Sequence, residues 1–128
     1  MTEHRVNWLE LRGLCQKLMM KEGMREEDAR ICADNLVDAD LCGVESHGVS
    51  RMTNYMKRLR TGVVASRGYC TVTKEHGSSL LIDGGNAMGM VVGKFAMDRC
   101  IEKARENGCC FAAVSHSNHF GTAACYVR

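Results

Sequence analysis

Apolar residues recur at helical spacing through the first half of the chain, and this pattern predicts three amphipathic helices. The first helix ends at Gly23, the second runs from the acidic residues 26–28 to Gly43, and the third runs from about Ser46 to 61–62. Acidic residues favour a helix start, and glycine commonly follows a helix end. In the first helix the residues at this spacing are Trp8, Leu11, Leu14, Cys15, Leu18 and Met19. The residues expected to face inward from the second and third helices are Ala29, Cys32, Ala33, Leu36, Val37, Met52, Tyr55, Met56 and Leu59.

Beyond residue 62 the pattern becomes extended, and strands alternate with helices. Residues 69–74 alternate as an edge strand does, 79–83 form a short apolar strand, and 109–114 form a continuous apolar strand suited to a buried position. A helix between the second and third strands ends at Gly108, and a final helix begins at Gly121. We therefore predict an α/β fold, with an N-terminal three-helix segment, 1–62, followed by the beginning of a mixed α/β sheet domain, 63–128.

The glycine-rich run 83–89 lies between a strand and a helix, as a dinucleotide-binding loop does. A Rossmann fingerprint needs Gly-x-Gly-x-x-Gly, whereas Gly84 and Gly85 are adjacent and Gly89 follows four residues later. We interpret the run as an ordinary strand-to-helix turn and the fold as non-Rossmann.

Charge and composition exclude several classes of partner. The formal net charge is only +2, with acidic and basic residues interspersed, so nothing indicates binding to nucleic acid or to an anionic membrane. No apolar run approaches the roughly 20 residues that cross a bilayer, and the first residues lack the layout of a secretion signal. A cytoplasmic protein is the default expectation.

Eight cysteines raise the alternatives of disulfides and a metal site. Cys15, Cys32 and Cys100 occupy helical core positions and Cys109 and Cys110 open the apolar strand, where reduced thiols behave as small hydrophobic groups. A zinc site is the sharper alternative, although no Cys-x-x-Cys pair and no structural-finger spacing supports it, and we expect no metal. Its candidate ligands are His116, His119, Cys109, Cys110 and Cys125.

The run from Gly43 to Arg51 holds the most informative chemistry. Ser46 is suited to cap the third helix, and His47 and Arg51, four residues apart, would then share one helical face. In the reduction of a 2-oxo acid, an imidazole can give a proton to the carbonyl oxygen, and a guanidinium can hold the carboxylate through two parallel bonds. The alternatives are a plain capped helix start with a solvated arginine, and a serine nucleophile at Ser46, which lacks the glycine pattern of a nucleophile elbow.

A second polar run, residues 115–119, follows the third predicted strand and precedes the helix at Gly121. The carboxyl end of a strand in an α/β layer is a common place for ligand contacts, so this run is a candidate for cofactor binding. The alternative is that Asn118 and His119 only cap the last helix. His116 fits either role.

Both runs resemble the signatures of one known family. Ala39 to Arg51, with Tyr55 following, and Ser115 to Ala123 are similar to the two N-terminal signatures of the malate/L-lactate dehydrogenase family, and the resemblance extends over essentially the whole chain. It implies a non-Rossmann oxidoreductase that transfers a hydride between NAD or NADP and a small 2-hydroxy acid or 2-oxo acid such as malate or lactate. The motifs leave open which acid and which cofactor are used.

Carried over by position, the resemblance implies roles for individual residues. Ser46 and His47 belong to the proton-relay group, and Arg51 binds the substrate carboxylate. His119 is the acid/base group in some members, so His47 and His119 are equal candidates for the proton carrier. The segment implied to lie against the cofactor is His119, Phe120, Gly121, Thr122 and Ala123.

The resemblance also implies a homodimer and a longer chain. Family members complete the site with a lysine and an aspartate at positions that would follow Arg128, so we interpret the sequence as an N-terminal fragment that is inactive alone. A non-catalytic helical binding or assembly module is the alternative hypothesis, because the N-terminal helices are amphipathic and part of the site is missing.

Overall fold

The structure, a computed structural model, describes residues 4–128, so residues 1–3 of the predicted helical segment lie outside the described part. Helices come first and a mixed sheet follows, which confirms the predicted α/β class. In chain order the elements are α1 (Trp8–Lys21), α2 (Glu26–Leu41), the 3₁₀ turns Glu45–His47 and Val49–Arg51, α3 (Met52–Arg60), β1 (Thr71–His76), β2 (Ser79–Asp83), α4 (Gly89–Asn107), β3 (Phe111–Ser115) and α5 (Ala124–Val127).

The helices α1 and α2 pack against each other, as their apolar stripes predict. The Asn7 side chain begins α1 by accepting hydrogen bonds from the amides of Leu9, at 2.9 Å, and Glu10, at 3.3 Å. In α2 the side chains of Cys32 and Leu36 are fully buried. None of the helices in residues 4–128 is both long and apolar enough to span a bilayer.

The apolar core draws on both sides of the predicted boundary after residue 62. Met19 of α1 and Leu36 of α2 pack in one cluster with Tyr55 of α3 and with Met88 and Met90 at the start of α4. Each of these side chains is at most 5% exposed. These four helices therefore share one core, and the division into 1–62 and 63–128 stays a prediction.

The third predicted helix begins later than its sequence pattern indicates. Residues 45–51 form two 3₁₀ turns separated at Gly48, and α3 follows them. Gly48 interrupts the helix because its backbone is extended, with φ −87° and ψ −154°. The Asp40 carboxylate holds this break by accepting the Val49 amide at 2.9 Å. The prediction that His47 and Arg51 share one helical face is therefore wrong.

The strands β1, β2 and β3 form a sheet in that order, with β1 antiparallel and β3 parallel to β2. The prediction that the third strand is buried is wrong for this chain, because β3 is an outer strand of the sheet. Phe111 is 71% exposed and Val114 is 40% exposed. Cys109 lies just before β3 and is exposed, so the prediction of a buried thiol there is wrong as well.

The final helix also begins later than predicted. Gly121 lies in a loop with a positive φ of 77°, a conformation that glycine adopts without strain. α5 begins only at Ala124. The segment between β3 and α5 is therefore a loop, and this loop carries His119.

Candidate active site

The first histidine segment, residues 45–51, is held by bonds within the segment itself. Arg51 donates from Nε to the Ser46 carbonyl oxygen at 2.7 Å, and the Ser50 hydroxyl donates to the Glu45 carbonyl oxygen at 2.8 Å. Neither the two 3₁₀ turns nor α3 has a side-chain cap, so the predicted capping role of Ser46 is wrong. The Ser46 hydroxyl instead lies 3.0 Å from Nδ1 of His47.

This contact places the Ser46 hydroxyl beside the His47 imidazole. A serine nucleophile of the elbow type would stand on a sharp turn between a strand and a helix. Ser46 stands in a 3₁₀ turn between α2 and α3. Ser46 therefore lacks the elbow of that kind of nucleophile.

The second histidine segment, residues 116–123, meets the first segment in space. The His119 ring stacks on the His47 ring, with 5.4 Å between the centroids and 29° between the planes. Nδ1 of His119 lies 2.8 Å from the hydroxyl of Tyr55 and accepts the Gly121 amide at 3.3 Å. The fold thus brings together two runs that are distant in sequence.

Arg51 and His119 line one cleft with a volume of about 420 Å³. His47 stacks on His119 but is not among the residues that line this cleft. The lining residues are Arg51, Asn54, Tyr55, Lys57, Arg58, Val64, Met88, Asn118 and His119. The predicted pairing of the His47 imidazole with Arg51 is therefore not found in this cleft, and the imidazole that lines it beside Arg51 is that of His119.

The cleft is strongly cationic. Arg51, Lys57 and Arg58 line it, and its lining within residues 4–128 includes no carboxylate. Partial burial lowers the pKa of His119, and the positive charges of His47, Arg51 and Arg58 lower it further. Such a cleft favours an anionic ligand and keeps His119 neutral near neutral pH.

Sequence reasoning missed the polar residues that α3 contributes to the cleft, Asn54, Lys57 and Arg58. Arg51, Asn54, Tyr55 and Arg58 are spaced i, i+3, i+4 and i+7, which is the signature of one helical face. The signal is easily overlooked because Tyr55 also belongs to the apolar stripe of the helix. Tyr55 is buried, yet its hydroxyl reaches the cleft at His119.

Asn118 connects the His119 loop to two neighbouring segments. Its Nδ2 donates to the Ala87 carbonyl oxygen at 2.8 Å, and its Oδ1 accepts from Arg58 at 3.0 Å. α5 has no side-chain cap. The alternative in which Asn118 and His119 only cap the last helix is therefore wrong.

The glycine-rich turn between β2 and α4 supports the same loop by close packing. A Cβ atom on Gly89 would lie 2.1 Å from the Asn118 carbonyl oxygen and 2.3 Å from that of His119. A Cβ atom on Gly84 would lie 2.8 Å from the His116 carbonyl oxygen. Glycine is needed here for packing, which agrees with the interpretation of this run as a structural turn.

His116 does not cap α5, which has no side-chain cap, and its part in cofactor binding stays a prediction. Its Nδ1 lies 2.9 Å from the Asp83 carboxylate, and its side chain is 70% exposed. The Gly85 amide, and then His116, hold the pKa of Asp83 below its usual value. Among residues 4–128, no three His, Cys, Asp or Glu side chains form a group that could hold a metal ion.

The segment predicted to contact the cofactor divides into exposed and buried residues. Phe120 is 47% exposed, and an exposed aromatic ring suits contact with a flat heterocyclic ligand. Ala123 is also exposed, Thr122 is partly buried, and Gly121 is buried against Asn35 of α2. Gly121 therefore supports the segment through α2.

These features define an α/β protein with a cationic cleft beside a stacked histidine pair, a site suited to small organic anions. The chain belongs to the malate/L-lactate dehydrogenase family, whose family model matches residues 6–128. This match confirms the resemblance that the two sequence runs carry.

Individual relatives agree with this membership. Malate dehydrogenase of Pyrococcus abyssi is 43% identical over 118 residues, which cover 92% of this chain and 33% of that protein. L-sulfolactate dehydrogenase of Methanocaldococcus jannaschii is 41% identical over 109 residues, or 85% of this chain and 32% of that protein. The solved structure of malate dehydrogenase from Pyrococcus horikoshii matches with a TM-score of 0.93 at 41% identity, covering 96% of this chain and 35% of that one. The chain thus spans about a third of the length of these relatives.

Proposed function

We propose that this chain supplies part of the active site of a dehydrogenase that transfers a hydride between NAD or NADP and a small 2-hydroxy acid or its 2-oxo acid, of the malate or lactate type. The observation that carries the proposal is the cleft shared by Arg51 and His119, with His119 stacked on His47. Family membership supports it, as do relatives named malate, L-sulfolactate and L-lactate dehydrogenase.

Arg51 is proposed to bind the substrate carboxylate. Its Nε bond to the Ser46 carbonyl oxygen fixes the guanidinium and leaves the terminal nitrogens for two parallel charge-assisted bonds. Lys57 and Arg58 add positive charge to the same cleft and attract an anion to it. The positive charge of the cleft therefore favours binding of an acid.

The histidine pair is proposed to manage the proton of the reaction. Reduction of a 2-oxo acid adds a hydride to the carbonyl carbon and a proton to its oxygen. His47 lies 3.0 Å from the Ser46 hydroxyl, and His119 lies 2.8 Å from the Tyr55 hydroxyl. Each imidazole therefore has a hydroxyl partner that can orient it for acid/base work.

The segment from His119 to Ala123 is proposed to hold the nicotinamide cofactor. Its exposed Phe120 ring fits a flat heterocycle, and His119 joins the segment to the cleft. When bound, the cofactor supplies or accepts the hydride. We also propose a homodimer, which light scattering on the purified protein would test.

The test of the acid site is the substitution Arg51→Ala. Loss of the charge-assisted bonds should weaken binding of oxaloacetate or pyruvate by about 10- to 150-fold, since such bonds contribute about 1.5–3 kcal/mol. NMR titration of the 128-residue chain measures this affinity. Arg99→Ala is the matched control, because Arg99 pairs with Glu102 on α4 outside the cleft. Equal affinities in the Arg51→Ala variant and the wild type would reject the assignment.

Turnover is the second readout. The longest form of the protein that can be expressed is assayed with NAD or NADP and a panel of 2-hydroxy acids. Oxidation of at least one acid is expected. If no acid is oxidised and neither cofactor binds, the non-catalytic assembly module becomes the better hypothesis.

A further inference from the structure

We propose that Tyr55 is a positioning residue that holds the neutral His119 imidazole with its proton on Nε2, so that His119 acts as a hydrogen-bond donor to the substrate. The assignment of the ring proton stands on geometry alone. The role of His119 as a donor to the substrate rests on the proposed function.

Two donors converge on one nitrogen of His119. The Gly121 amide reaches Nδ1 at 3.3 Å, and the Tyr55 hydroxyl lies 2.8 Å from the same atom. A backbone amide can only donate, so Nδ1 must offer it a lone pair. The neutral ring therefore carries its proton on Nε2.

Tyr55 is well placed to be the second donor. The residue is 5% exposed and packs in the core cluster with Leu36 and Met88, which fixes its ring. Burial raises the pKa of the Tyr55 phenol, so the hydroxyl keeps its proton and remains able to donate. The tyrosine thus acts as a fixed donor on one side of the imidazole.

The charges around His119 oppose a second proton on the ring. His47 faces it from the first 3₁₀ turn, Arg51 faces it from the second, and Arg58 faces it from α3. The residues that line the cleft within 4–128 include no carboxylate that would compensate a positive imidazolium. His119 is therefore held both neutral and in one tautomer.

This state fixes what His119 can do in the reaction. Its Nε2–H can donate a hydrogen bond to the carbonyl oxygen of a 2-oxo acid and so stabilise the negative charge that develops there. It cannot release that proton without forming an imidazolate, which is inaccessible near neutral pH. The proton that balances the hydride must therefore come from another group. The assignment of the His119 tautomer holds whichever group supplies it.

The first experiment reads the tautomer directly. The 128-residue chain is labelled with ¹⁵N in its histidines, and the ring shifts of His119 are followed by NMR, since they distinguish a protonated nitrogen from a free one. The wild type should show the Nε2–H form, and Tyr55→Phe should show a mixture of both forms. Tyr69→Phe removes a hydroxyl from an exposed tyrosine and should leave His119 unchanged. An Nδ1–H form in the wild type overturns the proposal even if Tyr55→Phe does not fold, as does an unchanged tautomer in a folded Tyr55→Phe.

The second experiment separates a donor from a proton carrier. A glutamine amide at position 119 can place its N–H near the position of Nε2 but cannot carry a titrating proton. In the full enzyme, His119→Ala should lower kcat by about 100- to 1,000-fold, and His119→Gln should recover to within about tenfold of the wild type, because the loss is that of one oriented donor. A Gln variant as slow as the Ala variant would overturn the donor role. A protein that turns over no 2-hydroxy acid would refute the proposed function while the NMR result still decides the tautomer.

Discussion

The two histidine segments of the cleft differ in what holds them. Residues 45–51 are held by neighbours in sequence, as in the bond from Arg51 to the Ser46 carbonyl oxygen at 2.7 Å. Residues 116–123 are held by distant residues, as in the contacts of His119 with Tyr55 at 2.8 Å and of Asn118 with Arg58 at 3.0 Å. The shape of the first segment therefore depends on its own bonds and on Asp40 of the preceding helix, whereas the shape of the second depends on residues far along the chain.

Both segments nevertheless lie against α2 through a glycine. A Cβ atom on Gly48 would lie 1.7 Å from Oδ1 of Asp40, and one on Gly121 would lie 2.0 Å from Oδ1 of Asn35. Gly121 has a φ of 77°, whereas Gly48 has an ordinary φ of −87°. The Asp40 carboxylate accepts the Val49 amide, whereas the buried Oδ1 of Asn35 has no hydrogen-bond partner among residues 4–128. The contact of Gly121 with Asn35 should therefore be more sensitive to substitution of the glycine than the contact of Gly48 with Asp40.

The largest effect is expected for Gly121→Ala. Alanine would be strained at this positive φ, at a cost of about 1–2 kcal/mol, and its methyl group would collide with Asn35, at a further cost of about 1–3 kcal/mol. Urea unfolding should show a loss of about 2–5 kcal/mol in the free energy of unfolding. The stacking of His119 on His47 should be lost as well, which histidine NMR shifts would report.

A matched glycine separates the two causes. Gly108 ends α4 with a φ of 81° and has open space where a Cβ atom would stand. Gly108→Ala should therefore cost only the conformational strain, about 1–2 kcal/mol. Equal losses in both variants would show that the contact with Asn35 contributes nothing.

A smaller effect is expected for Gly48→Ala. No strain from positive φ applies, so the cost is that of moving Asp40 and its bond to the Val49 amide, about 1–3 kcal/mol. Gly13→Ala is the control, because Gly13 lies within α1 with open space around it and should gain about 0.5–1 kcal/mol. If Gly48→Ala lost more free energy of unfolding than Gly121→Ala, the first contact would be the more sensitive of the two.

The same contrast explains which parts of the fold sequence reasoning could predict. The helices α1 and α2 are confirmed because their apolar spacing, acidic start and terminal glycine are local signals. The start of α3 was beyond such signals, since the break at Gly48 depends on Asp40 from the preceding helix. Local signals could not predict the exposure of β3 either, because an apolar run does not show whether a strand lies at the edge or in the middle of a sheet.

The candidate site divides in the same way. Ser46, His47 and Arg51 are recognisable as a group because they lie close together in sequence. The stacking of His47 on His119 requires the pairing of β3 with β2 and the close packing at Gly89, which no local pattern contains. The resemblance to the family supplied that pairing of motifs, whereas the contact of Tyr55 with His119 is visible only in the structure.

The smallest expected effect is a change of stability with pH. It tests whether the surroundings of the second segment lower the pKa of His119. The folded structure lowers the pKa of His119 below its ordinary 6.5. As the pH falls through 6.5, the unfolded chain therefore takes up a proton before the folded chain does, and stability present above that pH is lost below it. The wild type should lose more stability between about pH 8 and about pH 5 than His119→Gln, which has no such group.

Thermal unfolding across that interval measures the difference, and a second histidine separates it from the general effect of removing an imidazole. His76 lies at the exposed end of β1, outside the cleft, so His76→Gln should follow the wild type. The three charges that face His119, on His47, Arg51 and Arg58, predict that high salt reduces the difference by screening them. If the stability of the wild type and of His119→Gln changed with pH in parallel, the distant contacts would hold the shape of the second segment without lowering the pKa of His119.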